Sequence, residues 1–351
     1  MARQVKLFLI RHGETVDNVA QLYAGSRDSA LTNHGHQQAT RLGQHFKALG
    51  LSFTHIFSSH LQRAAKTAGL IRDAQATPAS ANGPAQSVPD IVQLPVIMEQ
   101  GFGYYEGKKF NERPAESKLS GKELRRQSHK DEPGFVDVES RESMCQRADA
   151  FLDEHLMPLL SHSEEDSERV IAIVSHGIML SVLWKRLLLR LPSKSVTLSP
   201  QLAATDHNSL EHLGGWSNTG YLELHLTREV AGDSVVPPTD TLPAPIPDPP
   251  APNRGEAGLT EPAQPLEGSE DFPLDTTPPA PKNASADCEP SAVAPQSTSN
   301  KPAQGWTTVI RTINGKDHLK GLKRTGGGVG SSRHDASQKN IDSFFKRRKL
   351  E

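Results

Sequence analysis

Two apolar runs of this chain each end in a histidine followed by a glycine. Leu7-Phe8-Leu9-Ile10 leads into Arg11-His12-Gly13, and a second run over residues 170–174 leads into Ser175-His176-Gly177. Such runs indicate buried strands, and open α/β sheets bind ligands at the carboxyl edge of their strands. One strand-end histidine is more often structural, whereas two in matching contexts favour function. The sequence therefore predicts an α/β fold with His12 and His176 at one sheet edge.

Helical spacing of apolar residues, with Thr32 as N-cap, predicts a helix that ends at Leu49. The following alternation over residues 53–57 predicts a strand and completes a β-α-β unit. The next helix carries Arg63 in its first turns, at the same sheet edge as His12. Further helices are predicted over 144–160 and 178–191, and an edge strand over 221–226, so that the folded domain ends near Arg228.

Composition divides the chain into three parts with opposite charges. Residues 1–230 have a globular composition and a net charge of −1. Residues 231–300 hold 16 of the 26 prolines, with 11 acidic residues against two basic ones. That segment cannot bury enough apolar surface to offset ordering its backbone, which predicts a disordered acidic linker. Residues 301–351 carry 12 Lys and Arg against four Asp and Glu and are expected to be a disordered basic tail; strand-like composition over 306–313 stays unassigned.

Cysteine usage and hydropathy indicate the compartment. The two cysteines, Cys145 and Cys288, lie in different parts of the chain, which argues against a disulfide framework and favours a reducing compartment. No apolar stretch approaches the roughly 20 residues that span a bilayer, and Met1 is not followed by the apolar region of a secretory signal. We expect no membrane association.

Four separated blocks, in order, resemble the histidine phosphatase superfamily, which includes the phosphoglycerate mutases. They are Leu7 to Thr15 with Asn18, Ser58-Ser59 with Arg63-Ala64 and Thr67-Ala68, Glu99 before Phe102-Gly103 and Glu106-Gly107, and Ser175-His176-Gly177. The resemblance covers about residues 5–228. It implies a three-layer α/β/α sandwich with a mostly parallel central sheet and a phosphate pocket at its carboxyl edge.

The resemblance also implies a role for each matching residue, and these roles make chemical sense. His12 is the expected nucleophile, which holds the phosphoryl group as phosphohistidine. Arg11, Arg63 and His176 are expected to surround the phosphoryl oxygens, where fixed cations and donors stabilise the transferring group. Asn18 matches a position whose amide also reaches the phosphate. Glu99 matches the general acid, and no metal or other cofactor is required.

Two other carboxylates compete with Glu99 for the role of acid. Glu106 follows the aromatic cluster at 102–105, whereas the family's acid precedes it, and Glu14 lies in the loop after the nucleophile. We favour Glu99. One departure concerns Ala24, which stands before Gly25 where relatives commonly carry a polar side chain that touches the phosphate. One phosphate contact is therefore expected to be missing.

The sequence leaves two alternatives for the reaction, hydrolysis of a phosphate ester and transfer of a phosphoryl group within the substrate. A mutase must retain its phosphorylated intermediate until the product turns around. The stretch between Glu99 and His176 is short beside true phosphoglycerate mutases, and a short cap that admits water favours hydrolysis. We therefore expect a phosphatase that acts on a phosphorylated small molecule, with a mutase-type isomerase as the alternative.

The C-terminal end carries two short motifs. Residues 338–345 resemble the clamp-binding peptide that docks on proliferating cell nuclear antigen, the DNA sliding clamp. In that peptide a helical turn presents Ile341, Phe344 and Phe345 to one apolar pocket while Gln338 hydrogen-bonds at its rim. Residues 346–349, Lys-Arg-Arg-Lys, form a cluster of nuclear-localisation type.

These motifs add a third functional hypothesis, a nuclear interaction protein tethered to the sliding clamp. We expect the protein in the nucleus and the cytoplasm. Contacts with nucleic acid are expected to be limited to non-specific contacts of the basic tail.

Overall fold

The computed structural model describes residues 2–76, 88–110, 130–161, 168–192, 194–204, 209–229, 305–326 and 328–337. The strands are β1 (Ala2–Arg11), β2 (His55–Ser59), β3 (Ile91–Leu94), β4 (Arg169–Ser175), β5 (Val196–Leu198), β6 (Tyr221–Glu229) and β7 (Trp306–Gly315). The α-helices are α1 (Val16–Ala20), α2 (Asn33–Ala48), α3 (Gln62–Gln75), α4 (Arg141–Phe151), α5 (Met157–Ser161), α6 (Gly177–Arg190) and α7 (Pro200–Ala203). A single π-helical segment, Leu152–Leu156, joins α4 to α5.

In the described part of the chain the strands form one sheet in the order β3-β2-β4-β1-β6-β7-β5. The first four strands of that order pair in parallel, as do β7 and β5, while β6 is antiparallel to both of its neighbours. The mostly parallel sheet predicted from the sequence is confirmed.

Helices cover both faces of this sheet because side chains alternate along its central strand, β1. Leu7 and Leu9 pack in a core with residues of α4 and α6, and Phe8 and Ile10 pack in a second core with α2 and α3. Alternate residues of a strand point to opposite faces, so β1 contributes to both cores. The three-layer α/β/α sandwich is therefore confirmed.

The parallel strands end together at one edge, which positions the predicted site. Strands β1 and β4 are aligned so that Arg11 pairs with Ser175, and each strand is followed by its histidine. The N-cap of α2 is Thr32, whose Oγ1 accepts a hydrogen bond from the Gly35 amide at 2.9 Å, as the sequence predicts. Helix α2 thus begins beside the loop that follows His12.

The predicted domain boundary at residue 230 and the predicted disorder of residues 301–351 are wrong for residues 305–326 and 328–337. Strand β7 lies inside the sheet, paired with β6 on one side and with β5 on the other. Trp306, Thr308 and Ile310 are buried, with more exposed residues between them. This is the alternation of a strand with one covered face. The strand-like composition over 306–313 is the local signal for β7, and the high charge of the whole 301–351 segment outweighs it.

The insertion of β7 changes the interpretation of β6. Strand β6 is a central strand and not the predicted edge strand, because β7 covers its outer side. Strand β7 also pairs with β5 on its other side. The predicted linker at 231–300 and the motifs at 338–345 and 346–349 lie outside the described residues. Among the helices that the structure describes, none is long and apolar enough to cross a membrane.

Candidate active site

His12 and His176 lie side by side at the carboxyl edge of the sheet. Their ring centroids are 5.0 Å apart with the ring planes inclined by 59°. Their residues are 4% and 0% exposed, so both imidazoles are almost fully removed from water. The parallel pairing of β1 with β4 accounts for this proximity, because it places the ends of the two strands next to each other.

The hydrogen bond of His12 defines its tautomer. Nδ1 lies 2.7 Å from the carbonyl oxygen of Gly13, which can only accept, so Nδ1 carries the proton. Burial lowers the pKa of His12 well below its ordinary value, and the charges of Arg63 and Arg11 lower it further, against the opposing effect of the Gly13 bond. The ring is therefore neutral at neutral pH and keeps a lone pair on Nε2.

His176 has the opposite tautomer. Its Nδ1 accepts a hydrogen bond from Nε of Arg63 at 3.1 Å, which places the ring proton on Nε2. Burial lowers the pKa of His176 well below its ordinary value, followed by the charges of Arg63, His12 and Arg11. No residue in the described ranges accepts a hydrogen bond from the buried Nε2. This N–H is therefore a donor for a bound ligand.

Arg63 lies at the centre of the site and is 1% exposed. Besides its bond to His176, it donates to the carbonyl oxygens of Ala24, Gly25 and Arg27 at 2.8–3.1 Å. These bonds use four of the five N–H groups of a guanidinium, so one stays for a ligand. Burial lowers the pKa of Arg63, and nearby carboxylates oppose that effect, Glu99 most strongly.

Arg11 is the second predicted cation, and it reaches the site from the end of β1. Its Nη1 donates to the carbonyl oxygen of Trp216. Its side chain also passes over Gly177, where an added Cβ would lie 3.7 Å from Nε. The guanidinium is close enough to lower the pKa of both histidines, and its contact with a shared ligand stays a prediction.

Glu99 is held at the N-terminus of α6, directly beyond His176. Its carboxylate oxygens accept hydrogen bonds from the amides of Ile178, Met179 and Gln100 at 3.0–3.2 Å. The residue is 9% exposed. Negative groups are stabilised at helix N-termini, which explains why a carboxylate occupies this position.

The two competing carboxylates have structural partners. Glu106 accepts from the amides of Gly25, Ser26 and Phe102 at 2.9–3.0 Å and so braces the loop whose carbonyls hold Arg63. Glu14 forms an ion pair with Arg324 and accepts from Thr32 Oγ1. Glu99 lies at the N-terminus of the helix that follows His176, and its role as the acid stays a prediction.

Asn18 is linked to the backbone of His12 through the side chain of Asn218. Its Oδ1 accepts from the amide of Thr15 at 3.1 Å and from Nδ2 of Asn218 at 3.3 Å. Asn218 Nδ2 also lies 3.3 Å from the carbonyl oxygen of His12. Because Oδ1 makes these bonds, Nδ2 is the side of Asn18 that can serve the predicted phosphate contact.

The structure adds site residues that sequence reasoning missed. The amide of Thr219 donates to the carbonyl of His12 at 3.1 Å, from a left-handed backbone conformation with φ of 57°. Gln38 and Thr67 hold the amides of Glu14 and Gly13 at 3.0 and 3.1 Å. Thr67 lies in one of the four blocks that resemble the family, although no role was predicted for it. Thr219 and Gln38 have no comparable local signal.

This arrangement suits the binding and transfer of an anionic group. A neutral imidazole with an available lone pair is a nucleophile, and His176 Nε2–H together with two guanidinium groups supplies donors and positive charge. A phosphoryl group, with charge spread over three oxygens, matches such a set of donors.

Comparison with known proteins agrees with the site. Residues 7–216 match the model of the histidine phosphatase superfamily, branch 1. The chain is 34% identical to the probable phosphoglycerate mutase GpmB of Erwinia tasmaniensis, over 51% of this chain and 73% of that protein. It is 29% identical to the fructose-2,6-bisphosphatase TIGAR B of Danio rerio, over 50% and 72% of the two chains.

A third relative is a probable phosphatase of Schizosaccharomyces pombe, which is 30% identical over 65% of this chain and 67% of that protein. These relatives include proteins named as phosphatases and as mutases. The family match spans both strand-end histidines and most of the sheet that positions them. The chain therefore belongs to branch 1 of the histidine phosphatase superfamily.

Proposed function

We propose that this protein is a phosphatase that hydrolyses phosphomonoesters through a phosphohistidine at His12. The observation that carries the proposal is the pairing of tautomers: His12 keeps a lone pair on Nε2, and His176 keeps an unused Nε2–H. One ring is arranged to attack phosphorus and the other to hold a phosphoryl oxygen.

The first chemical step forms a nitrogen–phosphorus bond. The Nε2 lone pair of His12 attacks in line with the ester oxygen, and the phosphorus–oxygen bond breaks. Glu99, in its protonated form, supplies the proton for the leaving oxygen. Arg11, Arg63 and His176 stabilise the phosphoryl oxygens throughout the transfer.

The second step hydrolyses the intermediate. Water attacks phosphorus, Glu99 accepts a proton from that water, and the nitrogen–phosphorus bond breaks, which returns His12 to its neutral form. The fixed cations and donors serve the role that a metal serves in other phosphatases, so we expect no metal requirement.

Hydrolysis and isomerisation can be separated by one set of assays. Wild type and His12→Ala are assayed with EDTA on a panel of phosphorylated metabolites and phosphopeptides, with released phosphate and conversion of 3-phosphoglycerate as readouts. We expect phosphate release that depends on His12. Phosphate release unchanged by His12→Ala would overturn the mechanism, and conversion that needs a bisphosphoglycerate primer would establish a mutase. Absence of both activities would favour the third hypothesis, a nuclear interaction protein in which the phosphatase fold serves as a scaffold.

We also propose that residues 338–345 bind the DNA sliding clamp and that residues 346–349 direct nuclear import. The sequences of the two motifs support this proposal, and residues 331–337, which precede them, are attached to the domain through the Asn33 contact with His334. Binding of the full chain to the clamp, measured by calorimetry, should be lost in the double variant Phe344→Ala, Phe345→Ala. Equal binding by that variant would remove the idea.

A further inference from the structure

The residues that follow β7 contact the loop between β1 and α1 (residues 12–15, the nucleophile loop), which carries His12. This C-terminal segment (residues 316–326 and 328–337) lies against the start of α2, where the amide of Asn33 donates to the carbonyl of Ser332 at 3.0 Å. The amide of His334 donates to the carbonyl of Leu31 at 2.9 Å, and its ring stacks on His36 with centroids 3.7 Å apart. Residues about 300 positions away in sequence thus meet beside the nucleophile.

Arg324 is the residue of this segment that pairs with the nucleophile loop. Its Nη2 forms the ion pair with Glu14 Oε2, while Nη1 donates to Ser331 Oγ at 2.8 Å. The Glu14 side chain is 5% exposed, and its other oxygen accepts from Thr32 Oγ1 at 2.8 Å. A buried carboxylate is costly without a partner, so Glu14 keeps this position only while Arg324 is present.

The position of Glu14 affects the tautomer of His12 through one peptide group, the one between Gly13 and Glu14. The carbonyl of the Gly13–Glu14 peptide accepts the His12 Nδ1 proton at 2.7 Å, and the amide of the same peptide donates to Gln38 Oε1 at 3.0 Å. Rotation of this peptide would remove the acceptor that keeps the proton on Nδ1. The lone pair on Nε2 therefore depends on where Glu14 is held.

The same segment reaches His12 from its other side through His318. Nε2 of His318 lies 2.8 Å from Thr219 Oγ1, whose own proton is donated to the carbonyl of Asn218 at 2.6 Å. The hydroxyl oxygen therefore accepts from His318. A β-branched residue in the left-handed region is strained and persists only where its surroundings hold it. Thr219 in turn holds the carbonyl of His12.

We propose that Arg324 is a positioning residue for the nucleophile, which acts through Glu14 to fix the tautomer and aim of His12, with His318 supporting the opposite side through Thr219. The proposal rests on His12 being the nucleophile of the proposed function. The proposal gives the C-terminal segment a role in positioning the nucleophile. That segment lies outside residues 7–216, which match the family model.

The test compares Arg324→Gln with two matched variants of the full-length protein. Arg324→Lys keeps the charge toward Glu14. Arg333→Gln removes an exposed guanidinium from the same segment and leaves the backbone pairing of that residue with Thr32 intact. Steady-state kinetics separate kcat from KM, and ¹⁵N NMR of the histidine rings reports the tautomer of His12.

Arg324→Gln should lower kcat by about tenfold with KM within about twofold, because a small misplacement of a reacting group costs one to two orders of magnitude in rate. The His12 signal should show loss of the pure Nδ1–H tautomer. Arg324→Lys should recover most of the rate, and Arg333→Gln should match wild type. Glu14→Gln should reproduce the effect, and the double variant should add little to either single change.

An Arg324→Gln protein with wild-type kcat and tautomer would overturn the proposal, as would equal losses in Arg324→Gln and Arg333→Gln. If Arg324→Gln does not fold, Glu14→Gln decides by the same two readouts. If wild type shows no turnover, the proposed function fails, while the NMR comparison still decides whether Arg324 sets the tautomer.

Discussion

At the scale of single residues, the site depends on keeping two imidazoles neutral beside two guanidinium groups. Burial and the neighbouring arginines act in the same direction on His12 and His176, and each lowers the pKa. A charged imidazole would bind a phosphoryl group but could not attack it. Burial therefore keeps His12, the proposed nucleophile, in the uncharged form that can attack phosphorus.

Glu99 is expected to act on the leaving group. Glu99→Gln should lower kcat/KM by about 10² to 10³ for an alkyl phosphate, whose leaving oxygen needs a proton, because general acid catalysis contributes on that order. For p-nitrophenyl phosphate, whose leaving group is a weak base, the loss should be much smaller. The measurement is kcat/KM for both substrates with each protein, because this ratio reports the first transfer and not the later hydrolysis, which Glu99 also serves.

Glu106→Gln is the matched control for that prediction, since Glu106 braces the loop at Gly25 and Ser26. Its effect on kcat/KM should be the same for both substrates. Equal losses on the two substrates in Glu99→Gln would contradict the role of Glu99 as the acid.

At the scale of elements, the nucleophile loop is fixed by the close approach of α2. A Cβ on Gly35 would lie 2.0 Å from the carbonyl oxygen of Glu14, and a Cβ on Gly13 would lie 2.6 Å from the carbonyl oxygen of Gly35. Two glycines therefore allow backbone to pack on backbone at this point. The geometry of the site follows from that contact as much as from the catalytic side chains.

Gly35→Ala should displace this loop, because the atoms that block the new methyl belong to the backbone. We expect kcat to fall by about 10²-fold and the free energy of unfolding to fall by about 1–3 kcal/mol. Kinetic assays and urea unfolding check both values.

Gly69→Ala in α3 is the control, because a Cβ there meets no atom within 4 Å. That substitution should raise stability by about 0.5–1 kcal/mol and leave kcat unchanged, since alanine favours helix over glycine. Wild-type kcat in Gly35→Ala would show that the close contact does not position the nucleophile.

The elements differ in how well the sequence predicts them. Strands β1 and β4 and helix α6 are continuous apolar or periodic segments, so each can be predicted from its own residues alone. Strand β7 is half-buried and flanked by charged and proline-rich sequence. Its membership of the sheet depends on pairing with β6 and β5, which no local pattern records.

At the scale of the whole molecule, β6 and β7 form an antiparallel pair, and the end of β6 lies next to the start of β7. Arg228, next to the end of β6, pairs with Trp306, the first residue of β7, although residues 229–305 separate them in sequence. The two ends could be joined by a short turn. The composition of residues 231–300 predicts a disordered connection between the two strands. Bringing the ends of such a long loop together on folding costs conformational entropy.

Replacement of residues 231–304 by a Gly/Ser turn of about four residues should therefore keep the fold. It shortens the loop by about four doublings, each worth about 0.6 kcal/mol, so stability should rise by about 2–3 kcal/mol. Urea unfolding and kcat check the prediction, with a deletion of residues 305–337 as the control that should lose the folded state. Unfolding of the short-turn variant would contradict the topology.

His318 makes the stability of the whole fold depend on pH. Burial lowers its pKa to about 4 from an ordinary value of 6.5. Above pH 6.5 the ring is neutral in both states and contributes no pH dependence. As pH falls from 6.5 to about 4, the unfolded chain binds a proton that the folded protein does not. The free energy of unfolding should fall by up to about 3 kcal/mol from this residue.

Urea unfolding over that pH range should show a smaller decline for His318→Asn than for wild type. His12 and His176 act in the same direction, so part of the decline should persist. His212→Asn, which changes an exposed histidine, should retain the full decline. A slope in His318→Asn equal to that of wild type would contradict the burial argument.

The site was predictable where residues act from the ends of strongly patterned elements. His12, His176, Arg63 and Glu99 all follow or begin such elements. Thr219, Gln38 and Arg324 act through hydrogen bonds that depend on tertiary packing, and the Glu14–Arg324 pair spans 310 positions. A single sequence holds no local trace of a contact that exists only after the sheet has formed.

The central claim is that His12 carries the phosphoryl group, and rapid acid-free quenching with peptide mass spectrometry tests it most directly. Within one turnover of a phosphomonoester, we expect up to one phosphoryl group per chain, stable to alkali, labile to acid and located on His12. Turnover with no phosphorylated His12, or a phosphoryl group on another residue, would contradict the account.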